Sequence, residues 1–171
     1  WDLGANTGRF SRVASGKGCF TVSFDVDPAA VELNYLECVR ERNENLLPLL
    51  LDLTNPSPGA GWASDERMTI DRRGPADTIL ALALVHHLAI SNNLPFDEIA
   101  RYFARLAKSL IIEFIPKDDS QVKRLLVSRE DIFDGYTRAG FEDAFSSYFT
   151  IERSEPIMGS GRILYLMRRR Q

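Results

Sequence analysis

Trp1-Asp2-Leu3-Gly4-Ala5-Asn6-Thr7-Gly8-Arg9-Phe10 decides how the rest of the chain is read. Asp2-Leu3 reads as the end of a strand, Gly4 to Gly8 as a tight turn, and Arg9 onward as the first turn of a helix. Glycine reaches backbone angles closed to other residues and lets a ligand lie against the main chain. The helix is expected to bury Phe10, Val13 and Ala14, spaced i, i+3, i+4. Its N-terminus is expected to offer free backbone N–H groups to a polar or anionic ligand. Asp2 is placed to accept hydrogen bonds from a cationic or polar part of that ligand.

Moving outward, Phe20–Asp25 alternates apolar and polar residues and predicts a second strand. Asp25 ends it about 20 residues after Gly4, where an acidic residue of a βαβ unit commonly takes both hydroxyls of a ribose. Asp27 before Pro28 predicts a helix start, with Val31, Tyr35 and Cys38 as the buried stripe. Leu46–Leu51 is a short apolar run, expected to be a strand buried on both faces and followed by Asp52-Leu53. Residues 55–75 are rich in proline and glycine and predict loops, with Ser64 capping a short helix. Trp62 lies in that stretch, where it either covers a bound ring or packs the loop down.

Asp77–Val85 is the longest apolar strand candidate, expected at the sheet centre and leading into His86-His87. A helix near Pro95–Ala107 carries Ile99, Phe103 and Leu106 on one face, and Ser109–Phe114 predicts a fifth strand containing Glu113. Lys117–Tyr136 is charged and reads as helix plus lid. Thr137 is placed to cap a helix bearing Phe141, Ala144, Phe145 and Tyr148. Thr150–Pro156 and Arg162–Arg168 flank Gly159 and Gly161 and predict a terminal hairpin.

At 171 residues the size prior favours a single domain over 1–171. A net charge of −3 argues against a nucleic-acid footprint, and Arg168-Arg169-Arg170 reads as a solvated tail. No apolar run approaches the ~20 residues of a membrane span. Cys19 and Cys38 fit no metal or redox pattern and suit a reducing, cytoplasmic compartment. Adjacent histidines point differently and no third ligand stands near them in sequence, so no metal is expected. With so little strand before Gly4, the natural protein is expected to extend upstream.

Two ligand classes suit a strand–glycine turn–helix. Dinucleotides call for G-x-G-x-x-G, a spacing the Gly4-Ala5-Asn6-Thr7-Gly8 turn lacks. The arrangement D-x-G-x-(G/N)-x-G instead resembles the first motif of class I S-adenosylmethionine-dependent methyltransferases, with Asn6 in place of the usual middle glycine. An apolar fourth strand running into Val85-His86-His87-Leu88 looks like the corresponding motif of many small-molecule methyltransferases. A terminal hairpin closes the sheet of that family. The chain also looks like a bacterial branch of the superfamily labelled nodulation-related.

The resemblance implies an α/β, three-layer Rossmann-like sandwich with a mostly parallel seven-stranded sheet and one antiparallel strand in the C-terminal hairpin. It implies S-adenosylmethionine as cofactor, with Asp2, Gly4, Asn6, Gly8, Asp25, Asp52, Leu53 and Ala83 around it. Asp52 matches the place that binds the adenine amino group; a mere polar turn toward Thr54 is the competing reading. The reaction implied is methyl transfer to oxygen or nitrogen of a small molecule, with His86, His87 or Glu113 assisting the acceptor. A protein acceptor stays open. The rivals are a module that binds S-adenosylmethionine without catalysis and a nicotinamide-dependent oxidoreductase.

Overall fold

In the computed structural model, which describes residues 1–127 and 129–170, strands and helices alternate from the first residues. The chain divides into two compact units, Trp1–Arg73 and Gly74 onward.

The first unit holds β1 (Asp2–Leu3), α1 (Arg9–Ser15), β2 (Thr21–Asp25), α2 (Pro28–Glu41), β3 (Leu46–Leu50) and the short α3 (Ile70–Arg73). Its strands run parallel in the order β3-β2-β1. The α2 start forms as expected, with Pro28 in the first turn and Asp27 accepting from the Ala29 N–H at 2.9 Å. Four expectations fail here. α1 buries Ser11 and Ser15, while Phe10 is 50% exposed and Val13 is exposed too. The polar face goes inward because the Ser11 hydroxyl satisfies the buried Asp2 carboxylate at 2.5 Å. α2 buries Ala30, Asn34 and Cys38 rather than Val31 and Tyr35, because Asn34 Nδ2 donates to Ser23 Oγ on β2 at 2.9 Å. β3 is not buried on both faces: Leu47, Leu49 and Leu50 are exposed and only Leu46 is buried. β3 pairs with β2 alone in this unit, and Pro48 suits such a strand because it has no N–H for a second neighbour. Finally, Thr69 Oγ1, not Ser64, accepts from the first turn of α3 (Arg72 N–H, 3.3 Å). Ser64 closes a 3₁₀ turn instead, and Trp62 in that turn is 85% exposed, so it does not pack the loop down.

The second unit holds β4 (Ala76–Ala81), α4 (Phe96–Leu106), β5 (Ala107–Phe114), α5 (Ser120–Leu126), α6 (Arg138–Ser146), β6 (Phe149–Pro156) and β7 (Ile163–Arg169), in the strand order β4-β5-β7-β6. β4 and β5 are parallel, and β7 is antiparallel to both β5 and β6. α4 buries Phe96, Ile99, Ala100, Phe103 and Leu106, and Thr137 caps α6 through the Gly140 N–H at 3.0 Å. Phe141 anchors this core, its ring centroid 4.4 Å from Phe145 and 5.2 Å from both Phe114 and Tyr165. β4 is shorter than the apolar run suggested. It stops at Ala81, Ala83 turns left-handed at φ +49°, and Val85 already starts a helical turn. The terminal arginines are exposed as expected but do not form a tail: Arg168 and Arg169 belong to β7, and Arg168 pairs with Glu152 at 3.2 Å.

The class is therefore α/β and Rossmann-like, with seven mostly parallel strands and one antiparallel strand, β7, in a C-terminal hairpin. Among the described residues no helix is long and apolar enough to cross a membrane.

Candidate functional site

The glycine turn leaves β1 through three left-handed residues, Gly4 (φ +72°), Asn6 (φ +49°) and Gly8 (φ +77°). Its donors are not free. The N–H groups of Gly4 and Ala5 both bond the Phe24 carbonyl at 2.9 Å, and that of Gly8 bonds the Ala5 carbonyl. The Asn6 N–H bonds Asp25 Oδ2 at 2.7 Å, and the Thr7 N–H bonds Asn6 Oδ1 at 2.8 Å. The turn's own N–H groups are thus paired, while the expectation of free donors concerns the N-terminus of α1, which begins at Arg9.

Asp25 is half-buried at the end of β2, its Oδ2 on Asn6 and its Oδ1 on the Asp27 N–H at 2.9 Å. Two single bonds leave lone pairs on both oxygens. Asp2 differs from its expected role, being 2% exposed with Oδ2 held by Ser11. Burial pushes its carboxyl pKa up and the Ser11 hydroxyl opposes that rise. Gly8 is needed for packing: a Cβ there would collide with the Asn34 side chain. Arg12 braces the same corner, donating to the Thr7 carbonyl at 2.7 Å and pairing with Glu41 at 3.1 Å. Asp52 follows β3 and forms the polar turn that was its competing reading. Its Oδ1 accepts from the Thr54 hydroxyl (2.7 Å) and from the N–H groups of Thr54 and Asn55, and the Thr54 bonds hold its pKa down. Leu53 lies within this turn, half-buried.

The second unit gathers its expected residues around the end of β4. The Ala83 N–H donates to Glu113 Oε2 at 2.7 Å, and Arg162 Nη1 donates to Glu113 Oε1 at 3.2 Å. Arg162 also grips both oxygens of Asp119, at 2.8 and 3.2 Å, which draws the Asp119 pKa down. Among the described residues Glu113 makes no hydrogen bond to either histidine. His86 is 1% exposed, and its Nδ1 has no hydrogen-bond partner among the described residues. Burial, with smaller contributions from His87 and Arg162, lowers its pKa to about 4. Its ring lies 4.1 Å, centroid to centroid, from that of His87. His87 is exposed at its surface edge, while the protein around it still lowers its pKa by desolvation. Among the described residues no three His, Cys, Asp or Glu side chains converge as a metal site would require.

No family model matches the chain. Nodulation protein NoeA of Rhizobium meliloti (strain 1021) is 43% identical over 169 residues, covering 98% of this chain and 35% of that protein. The chain thus spans about a third of the length of the curated relative it matches. Among solved structures, the PH0226 protein of Pyrococcus horikoshii OT3 aligns with a TM-score of 0.67 at 16% identity, over 99% of this chain and 80% of that one. A SAM-dependent methyltransferase of Aquifex aeolicus aligns with a TM-score of 0.61 at 17% identity, over 97% and 79%. A TehB-like SAM-dependent methyltransferase of Corynebacterium glutamicum ATCC 13032 Kitasato gives 0.58 at 13% identity, over 99% and 78%.

The chain has the fold of the class I S-adenosylmethionine-dependent methyltransferases.

In Rossmann-like α/β folds ligands bind outside the carboxyl ends of the strands. In this methyltransferase fold Gly4, Asp25 and Asp52 follow or end β1, β2 and β3, and Ala83 and His86 follow β4. Sequence reading missed Asn34, which needs Gly8 beside it, and Arg162, whose partners lie more than 40 residues away. Asp119 did carry a signal, an Asp-Ser-Gln helix start, and it caps α5 by accepting from the Gln121 N–H at 2.8 Å.

Proposed function

We propose that residues 1–171 act as one methyltransferase domain, transferring the methyl group of S-adenosylmethionine to an oxygen or nitrogen of a small molecule. The observation that carries this reading is Asp25. Its carboxylate is pinned by the glycine turn at 2.7 Å and still has lone pairs to accept two ribose hydroxyls. The Gly4-Ala5-Asn6-Thr7-Gly8 turn lacks the G-x-G-x-x-G spacing, which disfavours a dinucleotide. Gly4, Asn6 and Gly8 shape the turn, Asp2 holds it to α1 through Ser11, and Asp52-Leu53 follows β3 in the same unit.

The cofactor, when bound, supplies a methyl group already activated on a sulfonium. The chain's own task is then to align the acceptor and exclude water. His87 is the accessible base for a hydroxyl acceptor, while His86 stays neutral with its buried Nδ1 open to a hydrogen bond. Glu113 is tied on both oxygens and serves the loop rather than the proton. That same closure favours a second reading, a module that binds S-adenosylmethionine and catalyses nothing.

Calorimetric titration with S-adenosylmethionine, S-adenosylhomocysteine and NAD tests the cofactor. One-to-one binding of the first two and none of NAD is expected; tight NAD binding overturns the reading. Methyl transfer from labelled S-adenosylmethionine to hydroxyl and amine acceptors then separates the enzyme from the silent module.

A further inference from the structure

We propose that Arg162, in the turn between β6 and β7, is a positioning residue for the loop after β4: it fixes Glu113, and Glu113 fixes the backbone of Ala83 ahead of the two histidines. The proposal rests on the methyltransferase reading for its meaning but on hydrogen bonds for its geometry.

The loop needs such a hold. Ala83 sits at φ +49°, a region that L side chains other than Asn and Asp seldom enter unless their surroundings fix them there. Its N–H is held by Glu113 Oε2 at 2.7 Å. The Glu113 side chain is only 8% exposed, and a carboxylate so far from water requires a charged or hydrogen-bonding partner. Arg162 Nη1 meets it at 3.2 Å.

Arg162 is itself aimed from two sides. Asp119 receives Nε and Nη2 together, a two-pronged pairing that fixes the plane of the guanidinium, and Asp119 is anchored as the cap of α5. The turn also comes close to the segment after β5: a Cβ on Gly161 would stand 3.1 Å from Pro116 Cγ. Two separate stretches of the second unit, β5 and the start of α5, therefore meet on one guanidinium. The C-terminal hairpin reaches the loop through side-chain chemistry as well as through the sheet. Lysine cannot stand in, because one ammonium does not satisfy a carboxylate fork and a second carboxylate in the same plane.

The test is Arg162→Lys, with Asp119→Asn as a second variant that keeps a helix cap and loses the charged fork. Phe149→Leu, buried in β6 away from the loop, serves as a control of lowered stability. Hydrogen exchange of the Ala83 amide and S-adenosylhomocysteine affinity are measured in each. Loss of a charge-assisted contact predicts about tenfold faster exchange of Ala83 and about tenfold weaker binding in Arg162→Lys. Asp119→Asn moves both in the same direction, and Phe149→Leu moves neither beyond its change in global stability. If Ala83 exchange is unchanged in both Arg162→Lys and Asp119→Asn, or in Asp119→Asn when the lysine variant does not fold, the proposal is overturned. If the wild type binds no S-adenosylhomocysteine, the methyltransferase reading fails, while Ala83 exchange still decides whether Arg162 holds the loop.

Discussion

The N–H of Asn6 donates to Oδ2 of Asp25 at 2.7 Å, tying the glycine turn after β1 to the last residue of β2. The bond sets the carboxylate before any ligand arrives. It also depends on Asn6 being left-handed, at φ +49°, a conformation asparagine tolerates better than most residues.

Asn6→Gly should therefore keep the turn's backbone and S-adenosylhomocysteine binding, within about threefold, since glycine enters the left-handed region freely and loses only the exposed Thr7 N–H bond to the Asn6 side chain. Asn6→Val should lose ~1–2 kcal/mol of stability from the left-handed penalty, and should weaken binding where valine leaves the left-handed region and turns its N–H away from Asp25. Urea unfolding and calorimetry of the two variants check this. Equal behaviour of Gly and Val would remove the backbone conformation from the account.

Gly8 gives a second, separable expectation. Gly8→Ala places a methyl group on Asn34 and strains a φ of +77°. Moving Asn34 also breaks its 2.9 Å bond to Ser23 Oγ. Left-handed strain plus one buried hydrogen bond predicts a loss of about 2–3 kcal/mol in denaturant unfolding. Pairing Gly8→Ala with Asn34→Ala should recover part of that loss, because the clash goes with the side chain. No recovery would mean that the strain lies in the backbone alone.

His86 makes stability depend on pH in a defined window. Its folded pKa, about 4, lies below the ordinary 6.5, so the unfolded chain binds the extra proton between those values. Stability from this group is complete above about pH 6.5, falls as the pH drops toward 4, and changes no further below that. A shift of this size corresponds to about 3 kcal/mol. Comparing unfolding free energies of the wild type and His86→Gln from pH 7 to pH 4.5 should show the wild type losing more. Parallel curves would mean that His86 is not held neutral.

Where sequence pattern and structure agree, the apolar residues really do face inward. α4 shows this, with Phe96, Ile99, Phe103 and Leu106 buried at helical spacing, and so do Phe141 and Phe145 of α6. The pattern misleads wherever a polar group holds the inner face. Ser11 takes the inside of α1 because Asp2 is buried there, and Asn34 takes the inside of α2 because Ser23 waits on β2. Hydrophobic periodicity carries no trace of either bond. Leu46–Leu51 reads on composition as a strand buried on both faces, yet Pro48 within it marks a strand with a neighbour on one side. At the site, the turn and Asp25 were legible because glycine and an acidic strand end have fixed backbone uses. The closing of the turn's N–H groups was not, since it depends on the Phe24 carbonyl lying within reach. Arg162 was illegible for a simpler reason: nothing local in Gly161-Arg162-Ile163 points to carboxylates on β5 and α5.

The central claim, that Asp25 on its glycine turn holds the ribose of S-adenosylmethionine, is tested most directly by the affinity of S-adenosylhomocysteine for the wild type and for Asp25→Ala, measured by calorimetry on folded protein. A hydrogen bond to a charged group contributes ~1.5–3 kcal/mol, so the account predicts binding by the wild type and at least about tenfold weaker binding by the variant. Equal affinity of the two proteins, or no binding by the wild type, would contradict it.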